Sequence, residues 1–305
     1  MISIPRIATC CGFSLLMLSN AWGQATCPPA NWSRPALTQL QAAKWVVENP
    51  AQRETLAMGL LACLADPDPV LRDGIAFEAL SAWMRQKLLP MDLQRRMYSQ
   101  LLGQLQSNVG SEAGFAQPFA ALTLAEIARS DGATPFLTES ERNALVDAAT
   151  TYLRGVRDYR GFIQGEGWRH GVAHGADLLM QLARNPLVGK EQLKRIVEAV
   201  QSQVVPHASH FYVYGESERL ARPVLFAARR GLIEPEWWLH IIEGISAPKP
   251  LTRWEQAFGT QAGLSRLHNT KAFLLGLFAN VRESPDEGLQ AALLTPLRRA
   301  LEQLP

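Results

Sequence analysis

The sequence has few cysteines and little net charge. It holds four cysteines in 305 residues, and 30 basic residues are nearly balanced by 28 acidic ones, for a formal net charge of +2. Such a small charge creates no field that would attract nucleic acid, so we expect no nucleic-acid partner. The sequence also lacks the paired CxxC spacing of zinc sites and the motifs of serine hydrolases, nucleotide-binding loops and zinc proteases.

A long apolar run occurs only near the N-terminus. Arg6 precedes the apolar residues 7–18, and Ala21 and Gly23 supply small residues before a predicted cleavage site. The run has about 12 residues, fewer than the roughly 20 that span a bilayer. Residues 1–23 are therefore predicted to be a cleaved signal peptide. We expect an exported protein, periplasmic or secreted, with no membrane span after cleavage.

Cys27 and Cys63 remain after the predicted cleavage. In an oxidising compartment they could form a disulfide that ties the N-terminal arm to the second predicted helix. Loop closure would make such a bond worth roughly 3–4 kcal/mol. Alternatively, Cys63 is a small buried core residue within the stretch GLLACLA. The sequence leaves both possibilities open.

Helical periodicity dominates the rest of the chain. After an arm at 24–33, proline and glycine breakers divide residues 34–305 into about twelve helices, which we expect to form a single domain. They include 34–49, 51–65, 91–107, 139–155, 190–205, 235–246 and 286–303, and Thr138 and Glu141 are predicted to form a capping box before the helix at 139–155. Successive helical hairpins are typical of an α-solenoid, and the segment 64–84 resembles a HEAT unit. The prediction is an all-α, HEAT-like α-solenoid, and an α/α toroid would fit the same helices.

The segment 159–186 carries the strongest functional signal. We predict one helix over about 166–184 whose polar face holds Glu166, His170, His174 and Asp177 within an arc of about 80°. Trp168 falls on the opposite, core-facing side together with aliphatic residues. The helix is therefore predicted to be amphipathic, with two imidazoles between two carboxylates on one face.

Several kinds of chemistry are open to this polar face. Two histidines at i and i+4 can bind one metal ion, so His170, His174 and Asp177 form a candidate divalent-metal site. Without metal, Glu166 or Asp177 beside a histidine could act as general acid and base. A third interpretation is structural, because the HxxxH pattern also occurs on solvated helix faces and in histidines bonded to a neighbouring helix.

Two glycines within this segment, and a loop and helix that follow it in the sequence, extend the candidate site. Gly171 and Gly175 would allow another backbone to approach closely, which would make the polar face the wall of a groove. An aromatic loop that includes Tyr214 leads into a helix beginning near 216. If that helix faces the central one, Glu218 and Arg219 complete the pocket.

Several stretches make the chain resemble a known family. They are DPVLRDGIAFEALSAW (68–83), YRGFIQGEGWRHGVAHGADLL (159–179), GESERLARPVLFAARRGLI (215–233) and, more weakly, LHNTKAFLLGLF (267–278). Over roughly residues 55–280 the chain is similar to the bacterial DUF2785 proteins, a family of unknown function. The resemblance implies an all-helical fold and brings no activity or ligand. The family's central motif falls on Glu166, Trp168, His170, His174 and Asp177. Pro223 departs from the family pattern, which leaves the geometry of its helix open.

The leading hypothesis is a binding or interaction module with a protein, peptide or glycan partner. Its candidate binding face consists of Glu166, Trp168, His170, His174, Asp177, Glu218 and Arg219. The alternative is a hydrolase that uses His170, His174 and Asp177, with or without a divalent metal. Both hypotheses depend on the predicted continuous helix through the glycine-rich centre of the chain.

Overall fold

The computed structural model describes residues 26–107, 114–207 and 209–305. The predicted signal peptide, residues 1–23, lies outside the described residues. The predicted all-α class is confirmed, since regular structure in the described ranges is helical apart from two strands of two residues each. The elements are α1 (Arg34–Ala42), α2 (Pro50–Cys63), a π-helical segment (Val70–Phe77) continuous with α3 (Glu78–Arg85), α4 (Met91–Gln106), α5 (Ala116–Ala133), α6 (Glu139–Gly155), β1 (Phe162–Ile163), β2 (Gly167–Trp168), α7 (Gly171–Arg184), α8 (Lys190–Val204), α9 (Glu216–Arg229), α10 (Pro235–Ser246), a 3₁₀ helix (Trp254–Gly259), α11 (Gln261–Arg282) and α12 (Glu287–Glu302).

Local capping explains several helix boundaries. The predicted capping box forms at the start of α6, where Thr138 accepts from the amide of Glu141 and Glu141 accepts from the amide of Thr138. The first predicted helix, 34–49, is too long. It ends at Ala42 because Lys44 and Trp45 take φ values of 53° and 66°, which no right-handed helix contains.

The helices from α4 onward alternate between two layers. In one layer α5 contacts α7, α7 contacts α9 and α9 contacts α11, while in the other α4, α6, α8, α10 and α12 contact one another in the same order. Helices that follow each other in the chain also contact across the layers, as α6 does with α7 and α8 with α9. This order is shared by α-solenoids and α/α toroids, so the finer architecture stays a prediction.

A contiguous cluster of buried apolar side chains extends from Leu37 in α1 to Ala300 in α12. A second, smaller cluster holds Trp254, Ala257 and Leu267, and the single domain over 34–305 stays a prediction. At the N-terminal end, Cys27 and Cys63 form a disulfide, and Cys63 is also fully buried in the core. None of the helices in the described ranges is long and apolar enough to span a membrane.

Helix α7 lies at the centre of its layer, between α5 and α9, and also packs on α6. A Cβ at Gly175 would lie 3.1 Å from side-chain atoms of Leu153 and Tyr152 on α6. Gly171 faces the same helix, with the Tyr152 hydroxyl 3.3 Å from the corresponding position. The close approach predicted at these two glycines is thus made by α6, and the groove wall inferred from it stays a prediction.

Candidate binding site at the start of helix α7

The glycine-rich centre of the chain does not form one helix. Strands β1 and β2 pair antiparallel, with Phe162 opposite Trp168, and α7 begins only at Gly171. The predicted helix start at residue 166 is therefore wrong. The cause is the pair Gly165 and Gly167, whose φ values of 85° and 77° turn the chain into a hairpin.

Arg72 anchors this hairpin to the π-helical segment. Its guanidinium is fully buried, lies 3.7 Å from the centre of the Phe115 ring, and donates from Nη2 to the carbonyl of Glu166 at 2.7 Å. Asp73 pairs with Arg72 at 2.6 Å and accepts from the backbone amide of Trp168. Burial raises the pKa of Asp73 and outweighs the opposing effect of Arg72. The hairpin is thus held at both Glu166 and Trp168.

His170 and His174 lie side by side although only His174 is inside the helix. His170 is the N-cap residue of α7, with φ at 52°, and its carbonyl accepts from the amide of His174 at 2.9 Å. The ring centres are 5.8 Å apart, with the ring planes at 82°. One turn of backbone therefore separates the two imidazoles, as their spacing in the sequence requires.

Both imidazoles are held in the neutral form. Burial, with a smaller contribution from the charge of Arg219, lowers the pKa of His170 to about 4. Burial and the neighbouring His170 and Arg219 lower the pKa of His174 to about 3. The backbone carbonyl of Tyr214 accepts from His170, and that of Pro118 accepts from His174. These bonds fix the tautomers and leave His170 Nε2 and His174 Nδ1 as buried acceptors without a hydrogen-bond partner.

Asp177, the third predicted metal ligand, faces a cation instead. It forms an ion pair with Arg219 and therefore links α7 to α9. Burial raises the pKa of Asp177, against the opposing effect of Arg219. In the described ranges, no group of three His, Cys, Asp or Glu side chains is arranged to hold a metal ion. The predicted trio of His170, His174 and Asp177 is therefore not assembled as a metal site.

The two predicted glutamates pair with arginines and not with the histidines. Glu166 is half exposed and binds Arg169 at 2.6 Å. Glu218 is 62% exposed and pairs with Arg222 on its own helix at 2.8 Å. Glu166 is predicted on the polar face of a continuous helix, and Glu218 is predicted to complete the pocket if α9 faces α7. Glu166 belongs instead to the hairpin, so its predicted position is wrong.

Trp168 lies near the surface, contrary to its predicted position in the core. Its indole is 36% exposed and packs on the His170 ring, with ring centres 4.2 Å apart. Two further exposed aromatic residues contact it, Phe162 at 5.1 Å and Tyr214 at 5.7 Å between ring centres. We call these three residues, Phe162, Trp168 and Tyr214, the aromatic face. Sequence reasoning identified the loop of Tyr214 but missed Phe162, whose partner Trp168 becomes its neighbour only through the hairpin.

The aromatic face is held in place by a close contact with the backbone. The ring of Tyr214 lies directly over Gly161, where an added Cβ would be 2.1 Å from a ring carbon. Only glycine fits there, because any side chain would displace the ring. The hydroxyl of Tyr214 donates to the carbonyl of Phe162 at 3.4 Å. The loop before α9 is thereby fixed against the hairpin before α7.

The imidazoles themselves are closed off. The small space beside His170, lined also by Tyr159 and Tyr212, is too small to admit a water molecule. A cavity of about 570 Å³ lies between α5 and α6, and its lining includes Tyr152 and Gly171 but neither histidine. The structure therefore presents an exposed aromatic surface with the histidines beneath it, and the polar groove stays a prediction.

Comparison with known proteins supports the resemblance in the central motif. No curated protein and no solved structure matches the chain. A family model described as "Protein of unknown function (DUF2785)" matches residues 101–278, more than half of the chain. The matched range includes β1, β2, α7 and α9, and hence the aromatic face, both histidines and the Asp177–Arg219 pair. The chain belongs to the DUF2785 family.

Proposed function

We propose that this chain is an exported binding protein whose recognition surface is the aromatic face together with the adjoining Asp177–Arg219 pair. The observation that carries the proposal is a contiguous group of three partly exposed aromatic side chains, in which Trp168 contacts both Phe162 and Tyr214. Isolated exposed apolar residues are common on protein surfaces, whereas contiguous groups mark interaction sites. Tryptophan and tyrosine are also the residue types that contribute most to binding energy.

The rigidity of the surface supports the same proposal. The aromatic face is carried by short loops, yet Arg72 binds the hairpin and the ring of Tyr214 packs on Gly161. A surface that is already ordered loses little conformational entropy when a ligand binds. Such anchoring is expected of a recognition site and is not needed for a solvated loop.

Export is supported by two independent features. The first 23 residues have the pattern of a cleaved signal peptide. The disulfide between Cys27 and Cys63 is of the kind that persists in oxidising compartments, such as the periplasm or the extracellular space. We therefore propose a periplasmic or secreted location. Expression of the full chain in a bacterial host tests it: the purified periplasmic or secreted protein should begin at Gln24, and an intact N-terminus or a cytoplasmic product contradicts it.

The hydrolase alternative has less support. His170 Nε2 and His174 Nδ1, the nitrogens available to act as bases, are buried and closed to substrate. Asp177, the proposed partner of the histidines, is paired with Arg219. A hydrolytic role would require the aromatic face to move away from His170 before substrate could reach it.

A ligand screen tests the binding proposal. The protein without residues 1–23 is immobilised and exposed to separate libraries of peptides, glycans and small metabolites. A ligand that binds the wild type and loses at least tenfold affinity, about 1.4 kcal/mol, with Trp168→Ala supports the proposal. Phe258→Ala is the matched control, because Phe258 is a 60% exposed aromatic residue in the 3₁₀ helix, outside the aromatic face. The proposal fails if every ligand found binds both variants equally.

A further inference from the structure

Trp168 has the arrangement of a stacking surface. One part of its indole is covered by the His170 ring, 4.2 Å away between centres and inclined by 31°. The indole remains 36% exposed, so another part of it faces solvent. Phe162 and Tyr214 stand at 60° and 90° to it and border the exposed part. An aromatic ring presented in this way offers a flat apolar surface with defined edges.

The exposed charges around the aromatic face are balanced pair by pair, and the carboxylate of Glu216, which accepts from the amide of Tyr214 and forms no ion pair within the described residues, is buried. Arg219 pairs with Asp177, Arg169 with Glu166 at 2.6 Å, and Arg72 with Asp73 at 2.6 Å. The next residues outward are also paired, Arg160 with Asp158 at 2.5 Å and Arg222 with Glu218 at 2.8 Å. An anionic or cationic ligand would find no uncompensated opposite charge in these pairs. Electrostatic complementarity therefore favours a ligand without net charge.

The same pairs still offer hydrogen bonds. A guanidinium has five N–H donors and a carboxylate has about four acceptor positions, so one ion pair leaves donors and acceptors unused. Glu166 is 50% exposed and the Arg219 side chain is 35% exposed, so both present hydrogen-bonding groups to solvent. A ligand suited to this surface has one apolar face for the indole and many hydroxyl groups that both donate and accept.

We infer that the ligand is a neutral saccharide, with the C–H face of one sugar ring stacked on the exposed part of Trp168 and its hydroxyl groups bonded to Arg219 and Glu166. A pyranose ring combines these features, since its axial C–H groups form an apolar face and its hydroxyl groups lie around the edge. The inference rests on the proposed binding function and specifies its ligand. Peptides and charged glycans fit less well, because the rim provides no net charge to select them.

Isothermal titration with defined saccharides tests the inference. The neutral probes are cellohexaose, maltohexaose and chitohexaose, and the charged probes are an oligogalacturonate and a sulfated oligosaccharide of similar length. At least one neutral probe should bind at least tenfold more tightly than both charged probes. Its affinity should change less than about twofold between about 50 mM and 500 mM NaCl, because no net charge is screened.

Variants assign the binding to the surface. Trp168→Ala should weaken the neutral probe at least tenfold, and Trp168→Phe should restore part of the loss, since a smaller aromatic ring can still stack. Phe258→Ala should bind as the wild type does. Thermal melts within a few degrees of the wild type establish that the Trp168 variants are folded.

The outcomes separate the two proposals. Absence of binding by all neutral probes at millimolar concentration, or neutral binding that Trp168→Ala leaves unchanged, overturns the saccharide inference. If a peptide or charged glycan binds and depends on Trp168, the aromatic face is a binding site but its ligand is not a neutral sugar. If no ligand of any class depends on Trp168, the binding function fails as well.

Discussion

The carboxylate of Asp177 on α7 is ion-paired with the guanidinium of Arg219 on α9, 42 residues later in the chain. The side chain of Asp177 is 11% exposed and that of Arg219 is 35% exposed, so the acid is buried and the base reaches solvent. The pair joins two neighbouring helices of one layer, and the charge of Arg219 acts on His170, which packs on Trp168 of the aromatic face. It therefore links the stability of the fold to the geometry of the proposed recognition surface.

Removal of Arg219 should destabilise the protein more than removal of an exposed arginine. Arg219→Ala leaves the buried carboxylate of Asp177 without its cation, and we expect a loss of about 1–3 kcal/mol, below the cost of breaking a fully buried pair because Arg219 is partly solvated. Arg96→Ala, which breaks the exposed pair with Asp92 on α4, should cost less than about 0.5 kcal/mol. Urea unfolding measures both, and equal losses would show that the Asp177 pair has no special role.

The neutral histidines predict a loss of stability in mild acid. In the unfolded chain both titrate near 6.5, whereas in the fold the pKa of His170 is about 4 and that of His174 about 3. Below pH 6.5 the unfolded chain gains protons that the folded chain does not accept, so unfolding becomes more favourable as pH falls. The effect should begin near pH 6.5 and level off near pH 3–4, with several kcal/mol lost over the whole range.

Two substitutions isolate this effect. His170→Asn keeps a donor for the carbonyl of Tyr214 and tolerates the positive φ of residue 170, while His174→Gln keeps a donor for the carbonyl of Pro118. Neither amide titrates. The double variant should therefore lose less stability than the wild type between about pH 7 and pH 5, whatever its stability at pH 7. An unchanged difference would mean that other groups cause the acid sensitivity.

Periodicity within the chain predicts most of the helices. Proline and glycine breakers placed α2, α4, α6, α8, α10 and α12 within a few residues of their observed limits, because each helix is defined by its own local pattern. The same dependence on local pattern explains why periodicity does not predict the hairpin. Its strands have two residues each, too few for an alternating pattern, and its anchor Arg72 precedes Glu166 by 94 residues.

The candidate site was predicted in part. The proximity of His170 and His174 depends on one helical turn, which the sequence determines locally. The contact of Asp177 with Arg219 requires α7 and α9 to be neighbours. The sequence predicts that Arg219 joins the site only if the two helices face each other. The aromatic face depends on the contact of Phe162 with Trp168 across a turn at Gly165 and Gly167. The sequence predicts a helix at these glycines, so it does not predict the contact.

Loss of the disulfide should lower stability through the unfolded state. The bond between Cys27 and Cys63 closes a loop with a sequence separation of 36 residues, and loop-closure entropy for this length corresponds to about 3–4 kcal/mol. Cys27→Ser should therefore lower the free energy of unfolding by about that amount in oxidising buffer. With reductant present, wild type and variant should unfold at similar urea concentrations. A difference that persists under reduction would indicate that Cys27 acts through its contacts in the fold.

Gly167→Ala should disrupt the hairpin more than Gly165→Ala. Both glycines have positive φ, 77° and 85°, so alanine at either position costs about 1 kcal/mol in backbone strain. At Gly165 an added methyl meets no atom within 4 Å, whereas at Gly167 it lies 2.8 Å from Nη2 of Arg72 and 2.9 Å from Cβ of Pro69. Arg72 is fully buried and bound to the carbonyl of Glu166, so it cannot move aside without losing that bond. We therefore expect an additional loss of about 1–2 kcal/mol for Gly167→Ala, measured by urea unfolding, from overpacking at this contact.

Ligand binding at the aromatic face should weaken in Gly167→Ala and persist in Gly165→Ala, because only the former displaces the anchor that positions Trp168. Equal effects of the two substitutions would show that backbone strain alone, and not the Arg72 contact, controls the hairpin.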